Sequence, residues 1–398
     1  MNLLRNNRGI ALMIAISALM LILYLVMEIT YDSTVEYTVN SQNLNRIKAY
    51  YAAKSGMELS LLRIKIYQQA RDQFGEQLGA NASMLDEIWK FPFAWPLPPM
   101  EGMNAVDSDK LEELNKASSM DAAYIVTIED EGSKIDLNDL ASSSKKIAEA
   151  TRKQLLRIFE TKMEQDRDFE RRMGNYRPAD IIDNITDFVS SSRDSASGRG
   201  GKTTAFAELN RLAGSEIFPP NRAFRSLAEL RFIPGINDEI FALLEPRVTV
   251  FGMKGINPNL ANKDTLMSLD SGMTEEVVSE IMKRRDDPNL GGPFKNAEDF
   301  WAYVNQSGGR MNGNPEEIPL IFDNITNFRI RSTGEFAGAS REITAIVMDV
   351  DRVAQKVARQ LVEEKAEAEG KKAPEASKNK AANTQTKGPP RIVYWDEK

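Results

Sequence analysis

Histidine and cysteine are both absent from the 398 residues. Without histidine there can be no Ser-His-Asp or Cys-His arrangement and no imidazole-held zinc. Without cysteine there is no disulfide frame and no thiolate metal site. The missing cysteine leaves the compartment open, since cytosolic and exported proteins alike can lack it. A surplus of positive charge is missing too. Lys and Arg number 51 against 58 Asp and Glu, a formal net charge of −7, whereas nucleic-acid binding normally shows a basic patch or a high pI. Any catalysis would have to rest on carboxylates, lysine, tyrosine or a carboxylate-bound metal, so a non-catalytic role is the better expectation. Hydrophobic content of 42% and charged content of 27% describe a folded chain long enough for two or three domains.

The first distinctive feature is at the N-terminus. MNLLRNNRG is followed by IALMIAISALMLILYLVM, Ile10 to Met27, in which Ser17 is the only clearly polar side chain. As a helix this run spans about 27 Å, close to the hydrocarbon thickness of a bilayer. Arg5 and Arg8 precede it, and the first acids, Glu28 and Asp32, follow it. The positive-inside rule then places the short N-terminal piece in the cytoplasm and the remainder outside. A cleaved secretory signal needs a small-residue site after the run, and EITYDSTVEY offers none. A plain single-span anchor and a type IV pilin-like leader both fit. In the latter class a short basic leader ends in Gly and is cut on the cytoplasmic side, and Arg8-Gly9 followed by Ile10 resembles that junction. Glycine suits a peptidase that takes the backbone extended at the membrane surface, because it adds no bulk.

Residues 30–70 carry few helix breakers, and one helix is expected from about Ile10 to about Ala70. Leu44, Ile47, Tyr51, Leu59, Leu62 and Ile66 recur at helical spacing, with Ser55 in the gap. This stripe is expected to pack on a soluble domain. Residues 89–100, WKFPFAWPLPPM, read as a rigid extended connector. Tyr124–Ile128 is strand-like, Glu129–Ser133 has turn chemistry around Gly132, and Lys134–Leu137 resumes an extended pattern, so a β-hairpin is expected.

From Ala141 to about Tyr303 the pattern is helical. Lys145–Arg172 reads as one helix, with Ile147, Leu155, Ile158, Phe159 and Met163 as its apolar side. PADIIDNITDFVSS sets Asp180, Asp183 and Asp187 in a short helix. SSSRDSASGRGGK reads as a mobile loop. In FRSLAELRFIPGINDEIFALLEPRVTV, Pro234-Gly235 forms the turn of a helix-hairpin-helix, with Asn237 as cap. Such hairpins can hold DNA phosphates at the second helix's N-terminus, but Asp238 and Glu239 occupy that turn and would repel them. Thr274 is expected to cap a helix that starts with Glu275-Glu276 and ends with Lys283-Arg284-Arg285. Near the C-terminus, Phe328, Ile330 and Ser332 share one face, Gly334–Ser340 reads as a turn, and Ile343, Ala345 and Val347 resume. Residues 352–389 are Ala/Glu/Lys-rich without core content. RIVYWDEK is β-prone again, and Ile392–Trp395 is expected to pair beside Ile343–Val350.

Taken together, the leader, AYYAAKSGMELSLL, the 124–138 hairpin block, the Asp180–Asp187 element, GINPNLANKDTL, the stretch from Arg285 to Phe300 with GGPF, and FRIRSTG resemble the K-type minor pseudopilins of type II secretion. The resemblance spans most of residues 8–351. It implies an α+β fold: a long N-terminal transmembrane, pilin-like helix packed on a small antiparallel sheet, with a large inserted all-α domain containing a helix-hairpin-helix (SAM-like). The implied parts are a leader (1–9), a membrane segment (10–29), the periplasmic helix, connector and first hairpin (30–138), the insertion (139–315), C-terminal strands (316–351), a low-complexity insertion (352–389) and a closing strand (390–398).

Pilin-like proteins usually carry Glu at the fifth residue after the cut, where it is thought to neutralise a neighbour's N-terminal amine. Here that position is Ile14, and the K type likewise lacks the acid. The resemblance further implies processing between Gly9 and Ile10 by prepilin peptidase and residence in the inner membrane. It also implies assembly with I- and J-type minor pseudopilins, other pseudopilins and inner-membrane secretion components, without nucleic acid. The family is expected to bind calcium, with Asp183 and Asp187, or Asp136 and Asp139, as candidates. Calcium needs six to eight oxygens. No EF-hand spacing is present, and the 190–202 loop lacks the acids usual there. The competing readings are a membrane-anchored helix-hairpin-helix DNA-binding protein of a competence-type uptake system, and a single-span enzyme that keeps its N-terminus.

Overall fold

The computed structural model describes residues 7–78, 84–98, 105–118, 120–173, 177–198, 200–322, 327–350 and 391–398, with isolated positions between 353 and 365. Most of the low-complexity stretch 352–389 therefore lies outside the described residues.

The helices are α1 (Asn7–Leu78), α2 (Glu87–Lys90), α3 (Ala105–Ala117), α4 (Lys145–Gln165), α5 (Arg167–Arg172), α6 (Pro178–Val189), α7 (Lys202–Ala205), α8 (Ala207–Ala213), α9 (Asp238–Leu244), α10 (Lys263–Met267), α11 (Glu275–Asp286) and α12 (Ala297–Gln306). The strands are β1 (Phe93–Trp95), β2 (Ala123–Asp130), β3 (Ile135–Asp136), β4 (Val248–Thr249), β5 (Asn327–Phe336), β6 (Ala339–Met348) and β7 (Arg391–Glu397). The fold is thus a long apolar N-terminal helix with mixed helical and antiparallel-sheet content.

α1 continues without interruption from the apolar run. Beyond the run its threonines satisfy their own hydroxyls. Thr30, Thr34 and Thr38 each donate to the carbonyl four residues earlier, at 2.7–2.8 Å, so β-branched residues are carried in a helix without orphaned polar groups.

α1 lies on a five-stranded antiparallel sheet of order β1-β2-β5-β6-β7. The face it presents is not the expected one. Ala49, Ala52, Ala53, Met57, Ile64 and Tyr67 are buried against the sheet, whereas Leu44, Ile47, Tyr51, Leu62 and Ile66 are 45–60% exposed. At about 100° per residue the two sets point in nearly opposite directions. The cause is close approach, since small residues let the helix backbone descend onto the strands. Ser332 donates its hydroxyl to the Ala53 carbonyl at 2.7 Å. A Cβ on Gly334 would lie 2.1 Å from the Ala49 oxygen and 2.4 Å from the Ala53 nitrogen.

Gly334 is therefore a strand residue, not part of the turn. The turn is Ala337-Gly338, with φ of 45° and 80°; positive φ at both central positions matches the strand twist in a two-residue hairpin. The strand faces read from the sequence hold. Phe328, Ile330, Ser332, Ile343, Ala345 and Val347 are all fully buried. The closing strand is present as well: β7 pairs antiparallel with β6, from Ile343 opposite Glu397 to Met348 opposite Arg391.

Two other expectations are corrected. The segment expected as a rigid extended connector is, over its described residues 89–98, part of the fold itself, because β1 pairs with β2 and Trp89 packs edge-on against Tyr67 and Phe328. Arg63 fixes the approach by donating to the carbonyls of Ile88 (2.9 Å) and Phe91 (2.6 Å). Nor is there a hairpin over 124–138. β2 pairs with β1 and β5, while β3 leaves the sheet to pair in parallel with β4, Ile135 opposite Val248 and Asp136 opposite Thr249. Asp130 turns the chain out by accepting from the backbone of Ser133 (2.8 Å) and Gly132 (3.3 Å), and the sharp turn delivers the chain into the inserted domain.

That domain has its own apolar core, built on Leu155, Phe159, Ile182, Ile185, Leu244, Ile281 and Phe300, and separate from the core between α1 and the sheet. Ser144 caps α4 by accepting from Ile147 at 3.2 Å. The expected Lys145–Arg172 helix is broken at Asp166, which accepts from Asp168 (3.0 Å) and Phe169 (2.9 Å) and so starts α5. The break turns Phe169 into the core. Thr274 caps α11 as expected.

Candidate functional site

The apolar stripe on α1 is one candidate surface. It leaves the membrane-length segment, whose mean hydropathy is 2.8 with none of it buried within the chain, and continues to Ile66 on the face turned away from the sheet. Gly9, Ile10 and Ile14 lie on the same helix, and the Ile14 side chain is exposed. Isolated surface leucines need no explanation, but large apolar side chains exposed in a row form a patch that does. Ile14 adds no charge to this surface.

Each calcium candidate already has its carboxylate occupied. Asp183 pairs with Arg152 at 2.6 Å. Asp187 accepts from the Ser195 hydroxyl (2.6 Å) and the Ala196 amide (2.7 Å). Asp136 and Asp139 share the Lys254 ammonium, 3.6 Å from Asp136 and in direct contact with Asp139. Among the described residues no three acidic groups converge. A hard divalent cation takes its ligands mostly from anionic and carbonyl oxygens around a common centre, and a donor set already matched with guanidinium, ammonium and N–H groups does not fit one. The expected mobile loop at 190–202 is instead tied by these Asp187 contacts and by an Asp194–Gly201 bridge.

Asp136 and Asp139 could be paired from the sequence, but Lys254 could not be placed with them, because it lies more than a hundred residues further along the chain. Lys254 is at φ 62°, a conformation rarely adopted by a long side chain. One ammonium neutralises only one of two buried carboxylates. Burial, reinforced by the Asp136 charge and opposed by Lys254, raises Asp139 to about 7. Burial likewise raises Asp130 to about 6, against the Ser133 and Gly132 hydrogen bonds. A carboxyl whose folded pKa is raised binds more protons in the folded state between its two pKa values, so stability falls as pH rises through that window. The unfolding midpoint is expected to be higher near pH 5 than near pH 8, spanning the range from the ordinary carboxyl value of about 4 up to about 7. Asp139→Asn should flatten part of that slope, with Asp130 carrying a further share. Thermal unfolding across pH checks both, and a midpoint that rises with pH would contradict them.

The chain turns at Pro234-Gly235, with Gly235 at φ 92°, and Asn237 caps α9 by accepting from Ile240 at 2.8 Å. The segment before this turn is a 3-10 helix, Leu227–Phe232. The Pro234 carbonyl accepts from Asn184 of α6 at 3.0 Å. Asp238 pairs with Arg231 at 2.5 Å, and Glu239 takes Arg172 Nε at 3.1 Å. The α9 N-terminus is thus lined by acids that already hold the nearby arginines, and the turn is seated on the domain's own helix.

A membrane-length helix lies on a small antiparallel sheet, and a helical domain is inserted between its strands. Residues 133–253 match the family described as type II secretion system protein K, the family whose motifs the sequence resembles. The matched stretch runs from the exit of β2 to just past β4. Among solved structures, the chain is similar to one in the GspK-GspI-GspJ complex from the enterotoxigenic Escherichia coli type 2 secretion system. The identity there is 15%, coverage is 78% of this chain and 94% of that one, and the TM-score is 0.48. No curated protein matches this chain in sequence.

Proposed function

We propose that this chain is the K-type minor pseudopilin of a type II secretion system. It is a structural subunit that joins I- and J-type minor pseudopilins in the complex that starts and caps the pseudopilus in support of protein export. Prepilin peptidase cuts between Gly9 and Ile10, and the helix from Ile10 sits in the inner membrane with the head in the periplasm. The observation that carries this reading is the exposed stripe of Leu44, Ile47, Tyr51, Leu62 and Ile66, on the face of α1 that the sheet leaves free. It offers neighbouring helices an apolar face continuous with the membrane segment. Ile14 supports a unique place in the filament, since a subunit that presents no carboxylate there cannot pair with the N-terminal amine of the next. The inserted domain supplies the bulk that blocks addition above it, and the helix-hairpin-helix within it, read as SAM-like, is structural.

The test is assembly, with stability as the control. The chain co-expressed in a membrane with the I- and J-type partners of its system should co-purify with them in detergent. Ile47→Glu/Leu62→Glu should unfold at the parent's temperature, because neither side chain is buried, yet lose co-purification by about tenfold or more. Undiminished capture of the double variant, or no capture of the parent, would sink the proposal. Mass spectrometry of protein from a strain with active prepilin peptidase should find Ile10 as the first residue.

A further inference from the structure

Lys202 is a buried lysine that the assembly reading does not use; its side chain is all but inaccessible, with the residue 5% exposed. Its ammonium donates to the Asp187 carbonyl at 3.1 Å, the Ser190 carbonyl at 2.8 Å and the Asn221 side-chain oxygen at 3.1 Å. All three partners are acceptors, so the nitrogen must supply three hydrogens, which only the charged ammonium has. The first two oxygens belong to the C-terminal end of α6, where carbonyls lack helical partners and the helix dipole favours a cation. The third is aimed by an unusual backbone: Asn221 is at φ 51°, and its amide nitrogen is held by the Pro219 carbonyl at 3.0 Å. The same corner is closed by Phe188 stacked on Phe224, with ring centres 4.5 Å apart.

Carbonyl and amide oxygens converging on one positive centre are the donors a hard metal ion takes. We propose that the Lys202 ammonium is a tethered cation that occupies this oxygen cage in place of a bound metal, so that the α6 corner of the inserted domain is held without calcium. The disagreement between the calcium expected from family resemblance and the occupied carboxylates at Asp183 and Asp187 then has a physical reason, because the positive charge needed at this corner is supplied by the chain. Burial lowers the Lys202 pKa, and the nearby Asp187 charge opposes that.

The test uses the full chain in detergent, with thermal unfolding measured in a chelator and in millimolar calcium chloride. The parent should unfold at the same temperature in both. Lys202→Ala in chelator should unfold about 5 °C lower and recover part of that loss in calcium, which can enter the vacated cage. If Lys202→Ala does not fold in chelator, its yield of folded protein in calcium is the readout. Asn221→Gly, which keeps the backbone conformation accessible but removes one oxygen, should lose less than Lys202→Ala and show no calcium response. A parent stabilised by calcium, a Lys202→Ala protein as stable as the parent, or one destabilised but indifferent to calcium would each overturn the proposal. In the last case Lys202 is an ordinary helix cap.

Discussion

Gly334→Val is expected to unseat α1 from the sheet and to cost about 3 kcal/mol or more, the upper end for overpacking a close contact. The first side-chain carbon would fall within 2.1 Å of the Ala49 carbonyl oxygen and 2.4 Å of the Ala53 nitrogen. These are backbone atoms inside a helix, so no rotamer change can make room. Relief requires the whole helix to lift, and lifting separates Ser332 from the Ala53 carbonyl and exposes Met57, Ile64 and Tyr67. Gly56 meets the sheet from the helix side, where a Cβ would lie 2.5 Å from the Ser332 hydroxyl and 2.7 Å from a Val126 methyl. Thermal unfolding and proteolysis of the β5–β6 hairpin measure the effect. Gly75→Ala is the control, since its Cβ would meet only Arg71, at 3.6 Å, and alanine improves helix propensity. A Gly334→Val protein as stable as the parent would show that α1 does not depend on this contact.

Glu131→Ala should be comparably damaging, by about 3–5 kcal/mol, the range for breaking a buried ion pair from one side. Glu131 is fully buried. Arg329 of β5 donates to it twice, at 2.8 and 2.6 Å, Lys134 at 2.9 Å and Thr249 of β4 at 2.6 Å. One carboxylate therefore joins the sheet to the inserted domain. Its removal leaves Arg329 buried without its partner, whereas Glu131→Ala/Arg329→Ala should recover part of the loss. Burial alone would raise the Glu131 pKa, but the Arg329 hydrogen bond, the Lys134 and Arg329 charges and Thr249 outweigh it and lower it. A depressed folded pKa means this stabilisation is present above the unfolded value of about 4.3 and is lost as pH falls through the lower folded value. The parent should show this extra acid loss and the Glu131→Ala protein should not. Equal acid midpoints for the two would refute the role assigned to Glu131.

Local chemistry was legible where neighbours in sequence decide it. Asn237 and Thr274 read as caps because capping needs only an oxygen and an amide two or three residues on. The strand faces of β5 and β6 read correctly because alternation is a property of the strand itself. The break at Asp166 was also written locally, as an acid preceding the amides of Asp168 and Phe169, but the continuing apolar periodicity hid it. The departure of β3 to pair with β4 was not legible, since its partner is more than a hundred residues away.

The α1 stripe shows the division most plainly. By itself the sequence determined that residues 44–66 form a helix with a row of large apolar side chains continuous with the membrane segment. It could not say which face the sheet would take. Tertiary structure decided that in favour of Ala49, Ala52, Ala53 and Gly56, because a helix pressed onto strands at backbone distance needs small residues at the contact. The large side chains that look most like core are left outside, where only other helices can cover them.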